Sequence, residues 1–163
     1  MKMIKTLMEN DAKAGTVSWI GIRPAKKKPL QSCSMVQVNP ELGLVGDHYS
    51  ASSQKRQVTL IQAEHIAALN SFLDRDISPE QLRRNIVVEG FNLLSLAQKR
   101  FEIDGVVLQM TGLCHPCSRM EEVLGYGGYN AMRGYGGITA TVITAGEIKR
   151  GAKIRALLTD SEE

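Results

Sequence analysis

The sequence predicts a mainly β protein, folded as a closed β-barrel with a few short helices. Three observations support this prediction. Short segments rich in apolar and β-branched residues recur along most of the chain, only a few segments between them have helical periodicity, and the two types do not alternate regularly as in a doubly wound sheet. The 163 residues suffice for one domain with a substantial core.

The first part of the chain predicts three strands. Residues 16–22 (TVSWIGI) begin the fold, residues 33–38 (CSMVQV) alternate and run into the turn NPELGLVGD at 39–47, and residues 57–61 (QVTLI) form a short β-branched strand. These strands are short and separated by turn residues, as in a barrel or sandwich.

Two helical segments follow. Residues 62–73 carry apolar residues at helical spacing, which predicts a helix. In the segment SPEQLRRN, Ser78 is a candidate N-cap, Pro79 occupies the first helical position, and Gln81 lies three residues after the cap. This spacing is typical of a capping box and predicts one or two further helical turns.

The rest of the chain returns to strands. Asp104-Gly105 is a turn signal between two apolar runs, so the sequence predicts a hairpin there. The predicted strands are 85–90, 100–104 and 106–112, followed within 137–158 by one strand before a break at Gly146 and another beyond Gly151.

Composition excludes several classes of function. The net charge is only +3 and aromatic residues make up 5% of the chain, which disfavours nucleic-acid binding. No run approaches the ~18 apolar residues of a membrane span, and the N-terminus lacks the apolar core of a signal peptide. We therefore expect a cytoplasmic protein that uses neither nucleic acid nor membrane as a partner. Three cysteines cannot all pair, which disfavours a disulfide framework.

The most distinctive segment is TGLCHPCSRMEE, which contains Cys114 and Cys117. Ser118 and Glu121 have the spacing of a capping box, and Gly125 can end a short helix. Cys117 would then lie just before the helix cap, where the positive end of the helix dipole stabilises a thiolate.

Four interpretations of the cysteine pair remain open: two thiols without chemistry, a thioredoxin-type dithiol, half of a zinc site, or a single nucleophilic or soft-metal-binding thiolate. A thioredoxin-type pair follows the first strand of a βαβ unit, whereas this pair comes late in a β-rich chain. A zinc site needs two more ligands, and Cys33, His48 and His65 show no paired spacing. Arg119 would add to the stabilisation of a thiolate, and His115 is a candidate proton donor.

Other polar clusters predict an anionic ligand. Arginine suits bidentate recognition of anions, and the glycine-rich segment GYGGYNAMRGYGG lets the backbone approach a neighbour closely, with N–H groups available to an anion. The candidates are Asp47 and His48 in a glycine turn, Arg56 at a strand start, Arg83, Arg84 and Asn85 before a strand, and Asn130 and Arg133 among the glycines.

Five motifs together resemble the MOSC domain family, named for the C-terminal domain of molybdenum cofactor sulfurase. They occur in the family's order and spacing: GLVGDHY, RQVTLI, RRNIVVEGFNLLSL, TGLCHPCSRMEE and GGITATVITAGEIKRGAKI. The resemblance is strongest over residues 15–157 and identifies residues 1–163 as a single, small, stand-alone MOSC domain. It implies a β-barrel like the barrel domain of pyruvate kinase.

The resemblance also implies the chemistry. In the family one late cysteine bears a persulfide for sulfur transfer to the cofactor, or ligates molybdenum in relatives that reduce N-hydroxylated compounds. Cys117 matches this position, with Cys114 second, so that Cys117 would be both the catalytic residue and the metal ligand. The molybdenum cofactor (molybdopterin) would be bound through its phosphate and pterin by Arg56, Arg84 and Arg133. The rest of the candidate set is Asp47, His48, Asn85, Arg119 and Asn130.

The partners implied are molybdopterin together with a cysteine desulfurase, a molybdoenzyme or an electron-transfer protein. Pyridoxal phosphate would enter only through a separate desulfurase, because this chain does not contain that domain. Two other functions stay open: a non-catalytic carrier of the cofactor or of another anionic small molecule, and a thiol redox protein that uses the C-x-x-C pair.

Overall fold

The computed structural model describes residues 3–48 and 54–158. Within these ranges the strands are β1 (Gly15–Ile22), β2 (Gln31–Cys33), β3 (Met35–Asn39), β4 (Gly43–Leu44), β5 (Val58–Gln62), β6 (Ile86–Glu89), β7 (Arg100–Ile103), β8 (Val106–Leu113), β9 (Ile138–Thr144), β10 (Gly146–Lys149) and β11 (Lys153–Ala156). The helices are α1 (Ile4–Leu7), α2 (Ala63–Leu73), α3 (Pro79–Leu82), α4 (Arg119–Leu124) and α5 (Gly128–Met132), with 3-10 turns at Gln54–Arg56 and Leu93–Leu96.

Seven strands close into a barrel in the order β1-β11-β7-β8-β9-β5-β6, and β6 returns to β1. Closure depends on β11, which pairs with β7 on one side and with the start of β1 on the other, where Gly15 lies opposite Ile154. The β5–β6 pair is parallel and the other pairs are antiparallel, because α2 and α3 form the crossover between β5 and β6. The prediction of a closed, mainly β barrel with a few short helices is confirmed.

Two apolar clusters form the core, and adjacent residues of one strand supply both. In β5, Leu60 packs in the cluster that fills the barrel, whereas Ile61 packs in the cluster between the barrel wall and the helices. This alternation follows from the two-residue period of a strand. The second cluster contains Leu69 of α2, Met120 of α4 and Met132 of α5. It therefore fixes the segment that carries the cysteines against the wall of the barrel.

A second sheet has the order β10-β3-β4. The sequence predicted a break at Gly146, but Gly146 begins β10 and pairs with Val38 of β3. The break is therefore confined to Ala145. Glycine weakens the strand pattern in the sequence, yet the β3 partner supplies the hydrogen bonds that maintain the strand.

Two local predictions are confirmed. Asp104 and Gly105 both have positive φ, 47° and 86°, and connect β7 to β8 in a tight hairpin. Ser78 precedes α3, and its backbone N–H donates to Gln81 Oε1 at 3.0 Å, as in the predicted capping box. In the described part of the chain, no helix has the length and apolarity needed to cross a membrane.

Candidate functional site

The candidate site lies at the edge of the barrel where β1 and β8 end and β6 begins. The register places these ends side by side. Ile86 at the start of β6 pairs with Ile20 of β1 and with Leu60 of β5. Leu113 at the end of β8 pairs with Ile138 at the start of β9. A cavity of about 370 Å³ opens at this edge. We call it the arginine cavity; it is lined by Arg23, Asp47, Arg56, Thr59, Arg83, Arg84, Asn85, Cys114, His115 and Cys117.

Asn85 connects three segments beneath the cavity. Its Oδ1 accepts from the Thr59 N–H at 3.2 Å, and its Nδ2 donates to the Gly21 carbonyl at 3.1 Å and to Asp47 Oδ1 at 3.3 Å. Asp47 Oδ1 also accepts the Arg23 backbone N–H at 2.8 Å. These buried polar groups are therefore hydrogen-bonded, which rigidifies the floor of the cavity.

Arg84 holds residues 114–117, which we call the cysteine segment, in place. It is buried, and its Nε donates to the Gly136 carbonyl at 2.7 Å, Nη1 to the Leu82 carbonyl at 3.1 Å, and Nη2 to the carbonyls of Cys114 at 3.2 Å and His115 at 3.5 Å. Burial lowers the pKa of Arg84, and negative charge on the sulfurs of Cys114 and Cys117 opposes that shift by favouring the charged guanidinium. Within the described residues no carboxylate pairs with this guanidinium, so its charge adds to the field of the cavity.

Glycine is required where the cysteine segment meets the segment before β9. A Cβ on Gly136 would lie 2.0 Å from the Cys114 carbonyl oxygen, and one on Gly137, whose φ is +85°, would lie 1.9 Å from the Leu60 oxygen. The Cys114 N–H donates to the Gly137 carbonyl at 2.8 Å. The predicted close backbone approach is therefore present, and at these two glycines it is made to the chain itself.

The two thiols of the cavity have different environments. Cys114 is 3% exposed, and Arg56 Nη2 lies 3.9 Å from its sulfur, whereas Cys117 is exposed. Both are free thiols. Residues 114–117 form no helix or strand and connect β8 to α4.

The capping box predicted for α4 is wrong. Ser118 has helical backbone angles and makes no capping hydrogen bond through its side chain, while the Glu121 carboxylate accepts from the N–H groups of Gly127 at 2.9 Å and Tyr129 at 3.0 Å. Tyr129, then Gly127, hold the pKa of Glu121 below its ordinary value. The helix begins at Arg119 and ends at Leu124, with Gly125 directly after it as expected, but it has only six residues. The positive charge that the described residues place beside the thiols comes from the arginines of the cavity, and Arg56 lies in contact with the Cys114 sulfur.

The family follows from the sequence comparison. The family model described as the MOSC domain matches residues 45–155, a range that includes every described residue lining the arginine cavity except Arg23. The chain belongs to the MOSC domain family. That family is associated with binding of the molybdenum cofactor.

Solved structures agree with the fold of this MOSC domain. The YuaD protein from Bacillus subtilis superposes with a TM-score of 0.79 at 20% identity, over 87% of this chain and 94% of that chain. YiiM from Escherichia coli gives a TM-score of 0.71 at 16% identity, over 92% and 72%. YiiM from Geobacillus stearothermophilus gives 0.69 at 14% identity, over 88% and 75%. At these identities the likeness supports the fold alone. No curated protein matches the sequence significantly.

The MOSC domain brings six of the predicted site residues together and leaves four elsewhere. The six that line the arginine cavity are Asp47, Arg56, Arg84, Asn85, Cys114 and Cys117. Arg119 is half-buried in α4, and His48 is exposed, with its backbone N–H donating to the Arg23 carbonyl at 2.6 Å. Neither is among the described residues that line the cavity.

Asn130 and Arg133 lie in two clefts next to the arginine cavity. The first, which we call the tyrosine cleft, is lined by Pro116, Cys117, Ser118, Glu121, Tyr126, Gly127, Tyr129 and Asn130. The second is lined by His115, Pro116, Tyr129, Arg133 and Gly134. Arg133 Nη1 donates to Asn130 Oδ1 at 3.2 Å. Cys117 is shared by the arginine cavity and the tyrosine cleft, and thus lies at their junction.

Sequence reasoning missed two residues that line the cavity, Arg23 and Thr59. Arg83, named as a candidate for the anionic ligand, and His115, named as a candidate proton donor, do line it. Arg23 directly follows β1, and the edge at which β1 ends is known only once its pairing with β6 is known. Arg83 has a positive φ of 63°, a strained backbone that often occurs at functional sites.

Proposed function

We propose that this MOSC domain binds the molybdenum cofactor in the arginine cavity and uses Cys117 as its reactive thiolate. The thiolate would serve either in sulfur transfer to the cofactor or as a metal ligand in reduction of N-hydroxylated compounds. One observation carries the proposal: within the described residues, four arginines and two free thiols line one cavity together with a single carboxylate.

The residues present fit the anionic part of this cofactor. The charge of the cavity favours a phosphate-bearing ligand, and its volume of about 370 Å³ lies within the range of small-molecule sites. Arg84 uses most of its donors on backbone carbonyls, so it would contribute mainly charge. Arg56 and Arg83 have no carboxylate partner among the described residues, and would donate to the phosphate.

Cys117 is favoured over Cys114 by access. Cys117 is exposed and lines both the arginine cavity and the tyrosine cleft, so a sulfur donor or a substrate can reach it from outside. Cys114 is buried and held by its backbone. When bound, the cofactor would supply a thiophilic metal centre capable of redox chemistry, and this chain would orient it and keep a thiolate at the junction.

The decisive experiment measures molybdenum by mass spectrometry in protein purified from a cofactor-replete host. Cys117→Ser should lose the metal and Cys114→Ser should largely keep it, because only the first removes the proposed ligand. Equal loss, or no loss in either variant, contradicts the assignment. Retention of the cofactor without turnover of an N-hydroxylated base and without a sulfurated cofactor product favours the non-catalytic carrier instead.

A further inference from the structure

The tyrosine cleft differs in charge from the arginine cavity, although the two meet at Cys117. Among the described residues that line the cleft, Glu121 alone is an acid or a base that is charged at neutral pH, whereas the described lining of the cavity contains four arginines and one aspartate. Opposite charges are thus separated on the two sides of one exposed sulfur. A ligand that enters the cleft meets a carboxylate, and a cation is repelled from the cavity beyond it.

The Glu121 carboxylate is fixed in orientation and keeps acceptor capacity. Each of its oxygens accepts one backbone N–H, from Tyr129 to Oε1 and from Gly127 to Oε2. A carboxylate offers about four lone-pair positions, so roughly half of them remain for a ligand. The two backbone donors also hold its pKa below the ordinary value, and the group is therefore ionised at neutral pH.

Two tyrosines supply aromatic surface to the same cleft. Tyr126 is fully exposed and Tyr129 is 42% exposed. The ring contacts found within the described residues join Tyr135 to His65 and Phe72, and no described ring stacks on Tyr126 or Tyr129. Exposed tyrosine faces beside a carboxylate are suited to a flat cation, which gains from both the ring quadrupole and the charge.

We infer that the tyrosine cleft binds a planar aromatic cation and forms the substrate side of Cys117. The binding site itself is independent of the cofactor, whereas its role as a substrate site rests on the function proposed above. A molecule with an amidinium or ammonium group on an aromatic ring would place that group at Glu121 and its ring against the tyrosines. An aromatic carboxylate would be rejected by Glu121.

The test is a nuclear magnetic resonance titration of the isotope-labelled chain with benzamidine, and with benzoate as the matched anion. Benzamidine should shift the amide signals of Gly127 and Tyr129, whose N–H groups bond Glu121, and benzoate should not. Glu121→Gln should weaken binding about fivefold, while Glu122→Gln, an exposed neighbour on the same helix, should leave it unchanged.

A second variant separates loss of binding from loss of structure. Tyr126 is fully exposed, so Tyr126→Ala should preserve the fold and weaken benzamidine binding about threefold. The inference is overturned if benzamidine does not shift these amides, if benzoate binds as well, or if Glu122→Gln weakens binding as much as Glu121→Gln.

Inorganic phosphate, added to a parallel sample, reports on the arginine cavity through the amides of Thr59 and Asn85. Phosphate shifts without benzamidine shifts would refute the cleft alone. Benzamidine shifts without phosphate shifts would support the cleft and count against the proposed cofactor site. The two proposals can therefore fail separately.

Discussion

Replacing Gly136 by alanine should displace the cysteine segment from the barrel. The new Cβ would lie 2.0 Å from the Cys114 carbonyl oxygen and 3.2 Å from its carbon. An unstrained contact between carbon and oxygen is about 3.3 Å, so one of the two segments must move by about 1.3 Å. Backbone meets backbone here, and no flexible side-chain end can absorb the movement.

The cost combines overpacking with lost hydrogen bonds. Overpacking costs about 1–3 kcal/mol, and the displaced Cys114 carbonyl would lose the bond from the Arg84 guanidinium, which is 3.2 Å long and is worth about 1.5–3 kcal/mol as a bond to a charged group. We expect a destabilisation of about 3–5 kcal/mol. For a chain of this size this corresponds to a fall in Tm of about 6–20 °C.

Thermal unfolding monitored by circular dichroism measures the loss of stability. Alkylation of the thiols and then peptide mass spectrometry measures how accessible the cysteine segment has become. Cys114 is 3% exposed and should react slowly in the wild-type protein. Local opening made easier by about 3 kcal/mol should speed its labelling about 100-fold. Cys117 is already exposed and serves as the internal reference.

Gly112→Ala is the matched control. Gly112 lies in β8, close to the same segment, and an added Cβ would meet its nearest neighbour, Thr139 Oγ1, at 3.8 Å, an ordinary contact. Its Tm should change by less than about 2 °C. A Gly136→Ala protein that melts with the wild type, or an equal loss in Gly112→Ala, would refute the proposed packing.

Two further predictions concern titrating groups. Asn85→Asp would place a second carboxylate about 3.3 Å from Asp47 Oδ1. If both ionise, the repulsion is about 5 kcal/mol at an effective dielectric constant of about 20, so urea unfolding should show a large loss of stability at neutral pH that shrinks in acid. An equal loss at both pH values would count against this, and Asn130→Asp, at an exposed position, should change little. The pKa of Glu121 is lowered in the folded state by the N–H groups of Tyr129 and Gly127. Its ionised carboxylate therefore stabilises the folded state at pH values above the unfolded-state pKa. This stabilisation is lost as the pH falls through the folded-state pKa. Wild-type protein should accordingly be more stable than Glu121→Gln near neutral pH and lose that advantage in acid, and a gap that persists in strong acid would contradict the assignment.

The barrel was predictable because its signals are local. A short run rich in β-branched and apolar residues defines β5, and the Asp104-Gly105 turn defines the β7–β8 hairpin. The strand β10 was missed because Gly146 interrupts the pattern and the pairing partner, β3, lies more than a hundred residues earlier. A sequence pattern cannot show hydrogen bonds contributed by a distant strand.

The site was predictable in its residue types but not in its arrangement. Arginines and asparagine before β6 suggested an anion site, and this segment does line the arginine cavity. The hydrogen-bond partners of Glu121 were mispredicted. Its carboxylate could accept either from the Ser118 backbone, as in a capping box, or from the N–H groups of Gly127 and Tyr129, as it does. Which of these bonds forms depends on how the chain turns between α4 and α5, because the two N–H groups lie six and eight residues after Glu121.

The difference between the two thiols follows from tertiary contacts of the Cys114 backbone. Arg84 and Gly137 hold the Cys114 backbone from two sides, through the carbonyl at 3.2 Å and the N–H at 2.8 Å. Three residues later the chain is no longer held in this way, and Cys117 is exposed where an arginine-lined cavity meets a cleft that contains a carboxylate. A fixed first cysteine keeps the base of the segment in register with the barrel. The second is exposed and, on the function proposed above, would meet the cofactor from the cavity and a ligand of opposite charge from the cleft.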